Sequence, residues 1–406
     1  MSDTDSRRSD AASGSSRLDR LTDPATRPNP WPLYAEMREE PARREPDGTW
    51  VVARYADVAA LLRHPAMSAD PASAGRESQP LSFLNMDPPD HDRLRRIANQ
   101  HFRPRGEAGG VPAIRASLEA RVKALIDTLA AREEVDIVAD LAYPFPVGVI
   151  ADLLGVPRAD EPQFHAWAEA ILQAPERQVS GRRSPTAEAA FQALAAYMFS
   201  LIEARRDDPR EDMLSRLVHD DAPDGKMTTP QIIAVAVLLL LAGHETTVNL
   251  IANGMLTLLR HPAALARLAR EPRWATMVVE ETLRYEPPVH FTFRTTLETV
   301  EIGGASLPPR ADVQLMLAAA NRDPTRFERP DVFDPDRTNN QHLGFGTGIH
   351  TCFGAPLARL EGQIALSELA RRLIAPRLLQ DPPPYRYNPT LRGPRELKLA
   401  IAGVRD

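Results

Sequence analysis

The stretch from Leu343 to Glu361 contains the only cysteine of the 406-residue chain, Cys352. Glycines at positions 346, 348 and 354 flank this cysteine, and they predict a backbone that turns sharply or closely approaches a flat group. A helical pattern follows Gly354, with Pro356 in the first turn, where a missing N–H costs little. Free backbone N–H groups and a helix N-terminus both favour the thiolate form of a cysteine. A lone cysteine is most often a small buried apolar residue, so a chemical role for Cys352 depends on the rest of the chain.

The centre of a long apolar segment carries a second set of chemically capable residues. The apolar run that begins at Ile232 breaks at residues 243–247 (Gly-His-Glu-Thr-Thr) and resumes at Val248. A glycine inside a helix costs about 1 kcal/mol relative to alanine, and an unpartnered buried carboxylate costs more. The zinc-protease pattern His-Glu-x-x-His is excluded, because Val248 stands where the second histidine is required. The adjacent carboxylate and hydroxyl of Glu245 and Thr246 can instead relay protons through water.

Two pairs of charged side chains lie one turn apart on predicted helices. His91 and Arg95 follow an Asp-Pro-Pro sequence whose Asp87 is predicted to cap the helix. Two cationic donors on one side of a helix suit a carboxylate ligand, although a solvated basic face fits the same spacing. Glu281 and Arg284 lie three apart, a spacing that on a surface helix gives a weak ion pair.

The elements that must position these residues are mainly helical, with a small β-rich region. The longest predicted helix has Thr229 as its N-cap and Pro230 as its first residue, and it ends near Leu259, before His261-Pro262. Other helices are predicted over Leu33–Glu40, Tyr55–Arg63, Ala113–Ala131, Pro144–Leu154, Glu161–Leu172, Ala187–Ala204 and from Trp274. Strands are predicted over Thr49–Ala53, Val300–Ile302, Val313–Met316 and Leu397–Ile401, with an edge strand over Pro287–Arg294 and a long loop over residues 65–82.

Composition restricts the class of protein. A net charge of −6 and a pI near 6.0 give no electrostatic support for a nucleic-acid partner. The longest apolar run, Ile232–Ala242, is shorter than the about 20 residues that a membrane-spanning helix needs. We expect residues 1–17 to form a disordered tail, neither signal peptide nor membrane anchor, and residues 18–406 to form a single catalytic domain. A soluble, cytoplasmic protein is expected, and the absence of a phosphate loop or a dinucleotide fingerprint predicts no fused flavin or nicotinamide domain.

The run Phe345-Gly-x-Gly-x-His350-x-Cys352-x-Gly354-Ala355 resembles the haem-binding loop of the cytochrome P-450 superfamily. Three further motifs also resemble the family's and occur in the same order along the chain; they contain His91 and Arg95, Glu245 and Thr246, and Glu281 and Arg284. The resemblance extends over about residues 25–406. It implies the cytochrome P-450 fold, in which a long central helix lies over the haem. It also implies haem b (iron protoporphyrin IX), with the Cys352 thiolate as the iron ligand.

The resemblance also implies roles for particular residues. Glu245 and Thr246 match the acid and alcohol beside bound dioxygen. The residues that match donors to the haem carboxylates are His91, Arg95, Arg294 and His350. The residues that match a buried structural group holding the cysteine loop are Glu281, Arg284 and Arg337. The residues expected to shape a substrate pocket are Phe83, Leu84, Ala242, Val289, His290, Phe291 and Thr292, and a mobile lid is expected around Gln178–Ser184.

The function that the resemblance implies is insertion of one oxygen atom, by hydroxylation or epoxidation, into a lipophilic small molecule such as a polyketide, terpenoid or steroid. Electrons from NAD(P)H would arrive through a ferredoxin or flavodoxin type donor and its reductase, and the protein is expected to be a monomer. Peroxide-driven chemistry, oxygen-independent isomerisation or dehydration, oxidative coupling and ring closure remain alternatives, although such relatives usually alter the acid–alcohol pair. A non-catalytic haem sensor is a further alternative, but it would not need a proton relay inside an apolar helix.

Overall fold

Helices form most of the structure. A computed structural model describes residues 16–75, 82–102, 114–172, 184–221 and 225–406. The α-helices of the described residues span Arg17–Thr22, Trp31–Glu39, Tyr55–Leu61, Asp90–His101, Arg115–Asp127, Pro144–Leu154, Glu161–Leu172, Pro185–Asp207, Met213–Val218, Thr229–Arg260, Pro262–Arg270, Ala275–Tyr285, Leu317–Ala320 and Ala355–Arg372. The expected lid segment Gln178–Ser184 and the expected tail lie almost wholly outside the described residues.

The helix Thr229–Arg260, called the long helix below, lies at the centre of the largest hydrophobic cluster. It begins one residue after its N-cap Thr228, whose backbone N–H bonds the side chain of Gln231 at 2.9 Å, so the predicted cap at Thr229 is wrong by one residue. In the described part of the chain it is the one helix long and apolar enough to cross a membrane. More than half of its most apolar window is buried inside the protein, as in the core helix of a globular fold.

Within the described residues, ten short strands form three sheets. They span β1 Ala42–Arg44, β2 Trp50–Val52, β3 Met67–Ser68, β4 Glu134–Asp136, β5 Thr292–Thr296, β6 Val300–Ile302, β7 Ala305–Leu307, β8 Asp312–Leu315, β9 Arg377–Leu378 and β10 Lys398–Ala400. The sheet orders are β1-β2-β8-β5-β3, β4-β10-β9 and β6-β7, and β2–β8 is the parallel pair. Strand β5 pairs with β8 on one side and β3 on the other, so the predicted edge strand at this position is internal.

The structure differs from two further predictions in the N-terminal half of the chain. Arg17 belongs to a helix, is 7% exposed and pairs with Glu36 at 3.1 Å, so the expected disordered tail does not extend to it. Asp87 does not cap the helix Asp90–His101, whose N-cap is Pro89. The Asp87 carboxylate instead accepts bonds from the Ser68 hydroxyl and the Ala69 N–H, which ties β3 to this helix.

Candidate active site

The cysteine loop, residues 343–354, turns on two glycines with left-handed backbone. Gly346 has φ 65° and Gly348 has φ 79°, conformations that residues with a Cβ rarely adopt. A Cβ on Gly348 would also lie 2.5 Å from the carbonyl oxygen of Leu62. The Cys352 N–H donates to the Phe345 carbonyl oxygen at 2.8 Å, which closes the turn. Gly354 has an ordinary φ of −82°, and a Cβ there would meet no protein atom within 4 Å, so the turn does not require it.

The Cys352 side chain is accessible to solvent, although protein atoms surround it on most sides. It therefore lines a space inside the fold. Burial raises the pKa of its thiol, while hydrogen bonds from the Gly354 and Ala355 N–H groups and the charges of Arg95 and Arg359 lower it. The groups predicted to favour the thiolate are present, but burial outweighs them. A bound metal cation would reverse this balance, because a coordinating thiol is deprotonated outright.

Four of the predicted cofactor-binding side chains form one cationic cluster beside the cysteine loop. The rings of His91 and His350 lie 4.4 Å apart. Burial, followed by the charges of Arg294, His91 and Arg95, lowers the pKa of His350 to about 3. Arg95 donates to the carbonyl oxygen of Thr351, which attaches the helix Asp90–His101 to the cysteine loop.

The cluster contains buried polar atoms that lack a protein partner among the described residues. His91 bonds Asp92 through Nδ1 at 2.7 Å, but its Nε2 is buried with no partner among the described residues. The Nε2 of His350 is likewise buried and without a partner there. Arg294 is 9% exposed and donates to the Phe293 carbonyl oxygen at 2.7 Å. Unpartnered polar atoms beside the guanidinium groups of Arg95 and Arg294 fit an anionic ligand.

In the middle of the long helix, the predicted acid and the predicted alcohol differ in their exposure to solvent and in their surroundings. Thr246 is half-buried and its hydroxyl donates to the Ala242 carbonyl oxygen at 2.6 Å, while Ala242 itself is exposed. Glu245 is 5% exposed, and burial raises its pKa to about 7 even though the charges of Arg386 and Arg27 act to lower it. At neutral pH this carboxyl group can therefore both accept and release a proton. His244 is buried with its ring 4.5 Å from that of Tyr143, which is a packing position.

Two of the three residues of the predicted structural group are fully buried. Glu281 and Arg284 are both 0% exposed, and they form two hydrogen bonds, Nε–Oε2 at 2.8 Å and Nη2–Oε1 at 2.7 Å. Arg284 also donates to the carbonyl oxygens of Asn321, Pro330 and Val332. Arg337 lies with its Nε 3.6 Å from Glu281. This arrangement joins the helix Ala275–Tyr285 to the irregular chain that precedes the cysteine loop.

Two contacts that the sequence analysis missed attach the cysteine loop to the same helix. The Asn321 side chain accepts from the Leu343 N–H at 2.6 Å and donates to the Leu283 carbonyl oxygen at 3.3 Å. The Glu280 carboxylate accepts from Arg359 on the helix after the loop. Isolated asparagine and glutamate residues carry no pattern that would have predicted these contacts.

The predicted pocket residues divide into two groups. Leu84 is 50% exposed, Ala242 is exposed, and Val289 and Thr292 are half-buried, so these four can face a cavity. The other three are buried among protein side chains, and their assignment to the pocket stays a prediction; they are Phe83, His290 and Phe291. Phe83 packs on Phe353, with ring centroids 5.4 Å apart, and Phe291 belongs to the cluster around the N-terminal helices.

His290 is the most completely buried of these three residues. It is 0% exposed, and its Nδ1 lies 2.5 Å from the Tyr34 hydroxyl. Burial, with the charges of Arg392, Arg27 and Arg322, holds its pKa well below the usual range. A neutral histidine in this position serves packing of the N-terminal segment.

The donor set fits a haem. Cys352 is accessible, and the cationic cluster presents two guanidinium groups and two unpartnered histidine Nε2 atoms suited to the two carboxylates of that group. Among the described residues there is no group of three or more His, Cys, Asp or Glu side chains that could hold a bare metal ion. The iron of a haem brings further ligands of its own, so a single thiolate from the protein suits it.

Comparisons with known proteins match most of the chain to one protein family. A family model described as Cytochrome P450 matches residues 43–389. Cytochrome P450 monooxygenase PikC of Streptomyces venezuelae is 38% identical over 390 residues, which cover 91% of this chain and 91% of PikC. The 6-deoxyerythronolide B hydroxylase of Saccharopolyspora erythraea is 37% identical over 364 residues, 84% of this chain and 88% of the hydroxylase. The ligand-free crystal structure of Mycobacterium smegmatis CYP164A2 has a TM-score of 0.87 and 41% identity, covering 95% of this chain and 99% of that one.

Proposed function

The chain belongs to the cytochrome P450 family and is a monooxygenase of that family, and we propose that it uses dioxygen to hydroxylate or epoxidise a lipophilic small molecule. The reaction joins one oxygen atom to the substrate, and the second leaves as water after two electrons and two protons are supplied. Haem, when bound, supplies the redox chemistry of this reaction. The chain supplies binding, orientation and protons.

The observation that carries this proposal is the polar break in the long helix. Thr246 and Glu245 are adjacent, the first with a half-buried hydroxyl and the second with a buried carboxyl whose pKa is near 7. Reduction of dioxygen consumes protons, and this pair can hold and pass them in an otherwise apolar wall. A protein that only senses haem would not gain from the unfavourable burial of Glu245.

We propose that Cys352 is the iron ligand, and that His91, Arg95, Arg294 and His350 hold the haem carboxylates. The accessible sulfur and the unsatisfied Nε2 atoms of both histidines support this assignment. Glu281, Arg284 and Arg337 would then stabilise the cysteine loop without contacting substrate.

The proposed substrate is an uncharged lipophilic molecule, such as a polyketide, terpenoid or steroid. Leu84, Ala242, Val289 and Thr292 are the accessible or half-buried residues that support this proposal, because none of them carries a charge. Two relatives are named as a monooxygenase and as a 6-deoxyerythronolide B hydroxylase, which also supports an oxygenation product.

Electron supply is proposed to come from NAD(P)H through a separate reductase and a ferredoxin or flavodoxin type protein. The sequence contains no nucleotide-binding fingerprint that would replace such partners. A soluble, cytoplasmic monomer is proposed, since the apolar long helix is largely buried in the fold.

The test begins with a spin-state titration of the haem-loaded ferric protein against a library of lipophilic compounds. A compound that shifts the spectrum is then turned over once with reductant and ¹⁸O-labelled dioxygen. One labelled oxygen atom in the product is expected. An unlabelled product, or turnover supported by peroxide alone, would assign the protein to the peroxide-driven or oxygen-independent enzymes instead.

A further inference from the structure

A row of polar side chains follows one face of the long helix. Glu245, Asn249 and Asn253 are spaced four residues apart, so they lie one above the other. All three are buried, with 5%, 0% and 1% exposure. Their neighbours on the helix are mostly apolar, so this polar row is costly unless the surrounding structure satisfies it.

The loop of residues 385–394, called the opposing loop, packs against this row. A Cβ on Gly393 would lie 2.1 Å from the side-chain oxygen of Asn249, so the glycine backbone lies directly over the amide. Asn253 donates to the Arg392 carbonyl oxygen at 2.9 Å. The Arg386 N–H donates to the Gly393 carbonyl oxygen at 3.2 Å, so Arg386 is paired with the residue that covers Asn249.

Arg27 fixes the opposing loop from the N-terminal side. Its guanidinium donates to the carbonyl oxygens of Arg386 and Pro389 at 3.3 Å each and of Leu391 at 2.9 Å. The loop is therefore held in one position relative to the long helix. Next to Arg386, Tyr387 is 70% exposed, so the opposing loop reaches solvent within one residue.

Several buried polar atoms of the polar row and of the opposing loop have no hydrogen-bond partner in the described part of the chain. They are both amide atoms of Asn249, the side-chain oxygen of Asn253 and the Nε of Arg386. Each unsatisfied buried group costs about 1–3 kcal/mol. Buried waters, which bind two to four polar partners, are the usual solution where polar atoms converge in this way.

We propose that Asn249 and Arg386 hold ordered water between the long helix and the opposing loop, and that this water carries protons from solvent to Glu245. The proposal rests on the proton-donating role proposed for Glu245. One proton enters the water from solvent as another passes to the Glu245 carboxylate, so no charge accumulates along the path. Asn249 and Arg386 are positioning residues in this scheme, because they act through the water and the carboxyl group.

The electrostatics of the site agree with this assignment. The charges of Arg386 and Arg27 act on Glu245, and Glu245 in turn acts on the nearby titratable Tyr143. Burial raises the pKa of Glu245 to about 7, and the two arginines oppose that effect. A group with this pKa is populated in both forms at neutral pH, as a proton-passing residue requires.

The first experiment is a high-resolution crystal structure of the haem-loaded protein. A water within hydrogen-bond distance of the Asn249 amide and on a path to Arg386 is expected. A dry contact, with the Asn249 amide bonded only to protein atoms, would overturn the proposal.

The second experiment measures protonation without turnover. The carboxyl band of Glu245 is identified by infrared difference spectroscopy against Glu245→Gln and followed over pH. The midpoint should move to higher pH in Arg386→Gln and return toward the wild-type value in Arg386→Lys. Arg395→Gln, which removes an exposed arginine just beyond the opposing loop, is the matched control and should leave the midpoint unchanged. A midpoint equal in Arg386→Gln and Arg395→Gln would show that Arg386 does not act on this carboxyl group.

The third experiment uses a compound found by the spin-state titration and measures how much NAD(P)H is converted to product rather than to peroxide. Asn249→Leu and Arg386→Gln should each lower the product-forming rate by about tenfold or more, with haem content retained. If Glu245→Gln has no effect, the proposed role of Glu245 fails. If Glu245→Gln reduces the rate but Asn249→Leu and Arg386→Gln resemble Arg395→Gln, the water path alone is refuted.

Discussion

The buried pair of Glu281 and Arg284 provides a quantitative test of how the cysteine loop is held. The perturbation is Glu281→Gln, which keeps the shape of the side chain and removes its charge. Arg284 would remain fully buried, together with its three bonds to backbone carbonyl oxygens. The Asp334 N–H, which bonds Glu281 at 2.8 Å, would face a neutral amide in place of a carboxylate.

The expected effect follows from burial. Removing one charge of a fully buried pair leaves the other uncompensated and costs about 3–5 kcal/mol. Glu203 and Arg206 offer a matched control, because they have the same three-residue spacing and a 2.9 Å contact but each is 45% exposed. An exposed pair contributes about 0.2–1 kcal/mol, so Glu203→Gln should lower the free energy of unfolding by less than about 1 kcal/mol.

The assay is urea unfolding of the haem-loaded variants, followed by circular dichroism and by haem absorbance at equal protein concentration. Glu281→Gln should shift the midpoint to lower urea by several times the shift of Glu203→Gln, and it should release haem earlier. If the two variants differ by less than about 1 kcal/mol, the buried pair does not hold the loop and the reasoning from burial is refuted.

Three other predictions follow from the same site. Cys352→His should abolish the thiolate-specific spectrum of the reduced carbonyl complex, and an unchanged spectrum would show that another residue binds the iron. Thr246→Ala should leave haem and substrate binding intact while diverting reducing equivalents to peroxide; wild-type coupling would contradict the relay. Burial acts to raise the pKa of Glu280, but bonds from His342 and Arg359 outweigh it and lower the pKa to about 2. The stability that Glu280 contributes should therefore be present above pH 4.5 and lost as the pH falls toward 2, and Glu280→Gln should flatten this part of the acid-unfolding curve.

The sequence predicted the fold class well, and the comparisons with known P450 structures confirm it. Helices with strong apolar periodicity, such as Pro144–Leu154, have the predicted bounds, because periodicity is a local property. Short elements such as β1, β4 and the helix Met213–Val218 escaped prediction, since a few residues carry little pattern. The internal position of β5 was also missed, because alternation within a strand does not reveal its neighbours.

The candidate site was predictable where its residues are close in the chain. Cys352 with its glycines, Glu245 with Thr246, and Glu281 with Arg284 each form a short local pattern, and their roles were predicted from the resemblance of these patterns to the family's motifs. These assignments stay predictions until the proposed measurements are made.

Tertiary structure decided the contacts between distant segments. Arg27 bonds Pro389 across 362 positions, and Gly393 lies over Asn249. The same packing buries His290 against Tyr34. The sequence determined which chemical groups each segment carries. It did not determine which face of a largely apolar helix packs against which partner. Only the packed structure determined which buried polar groups are satisfied, because that depends on atoms brought together from opposite ends of the chain.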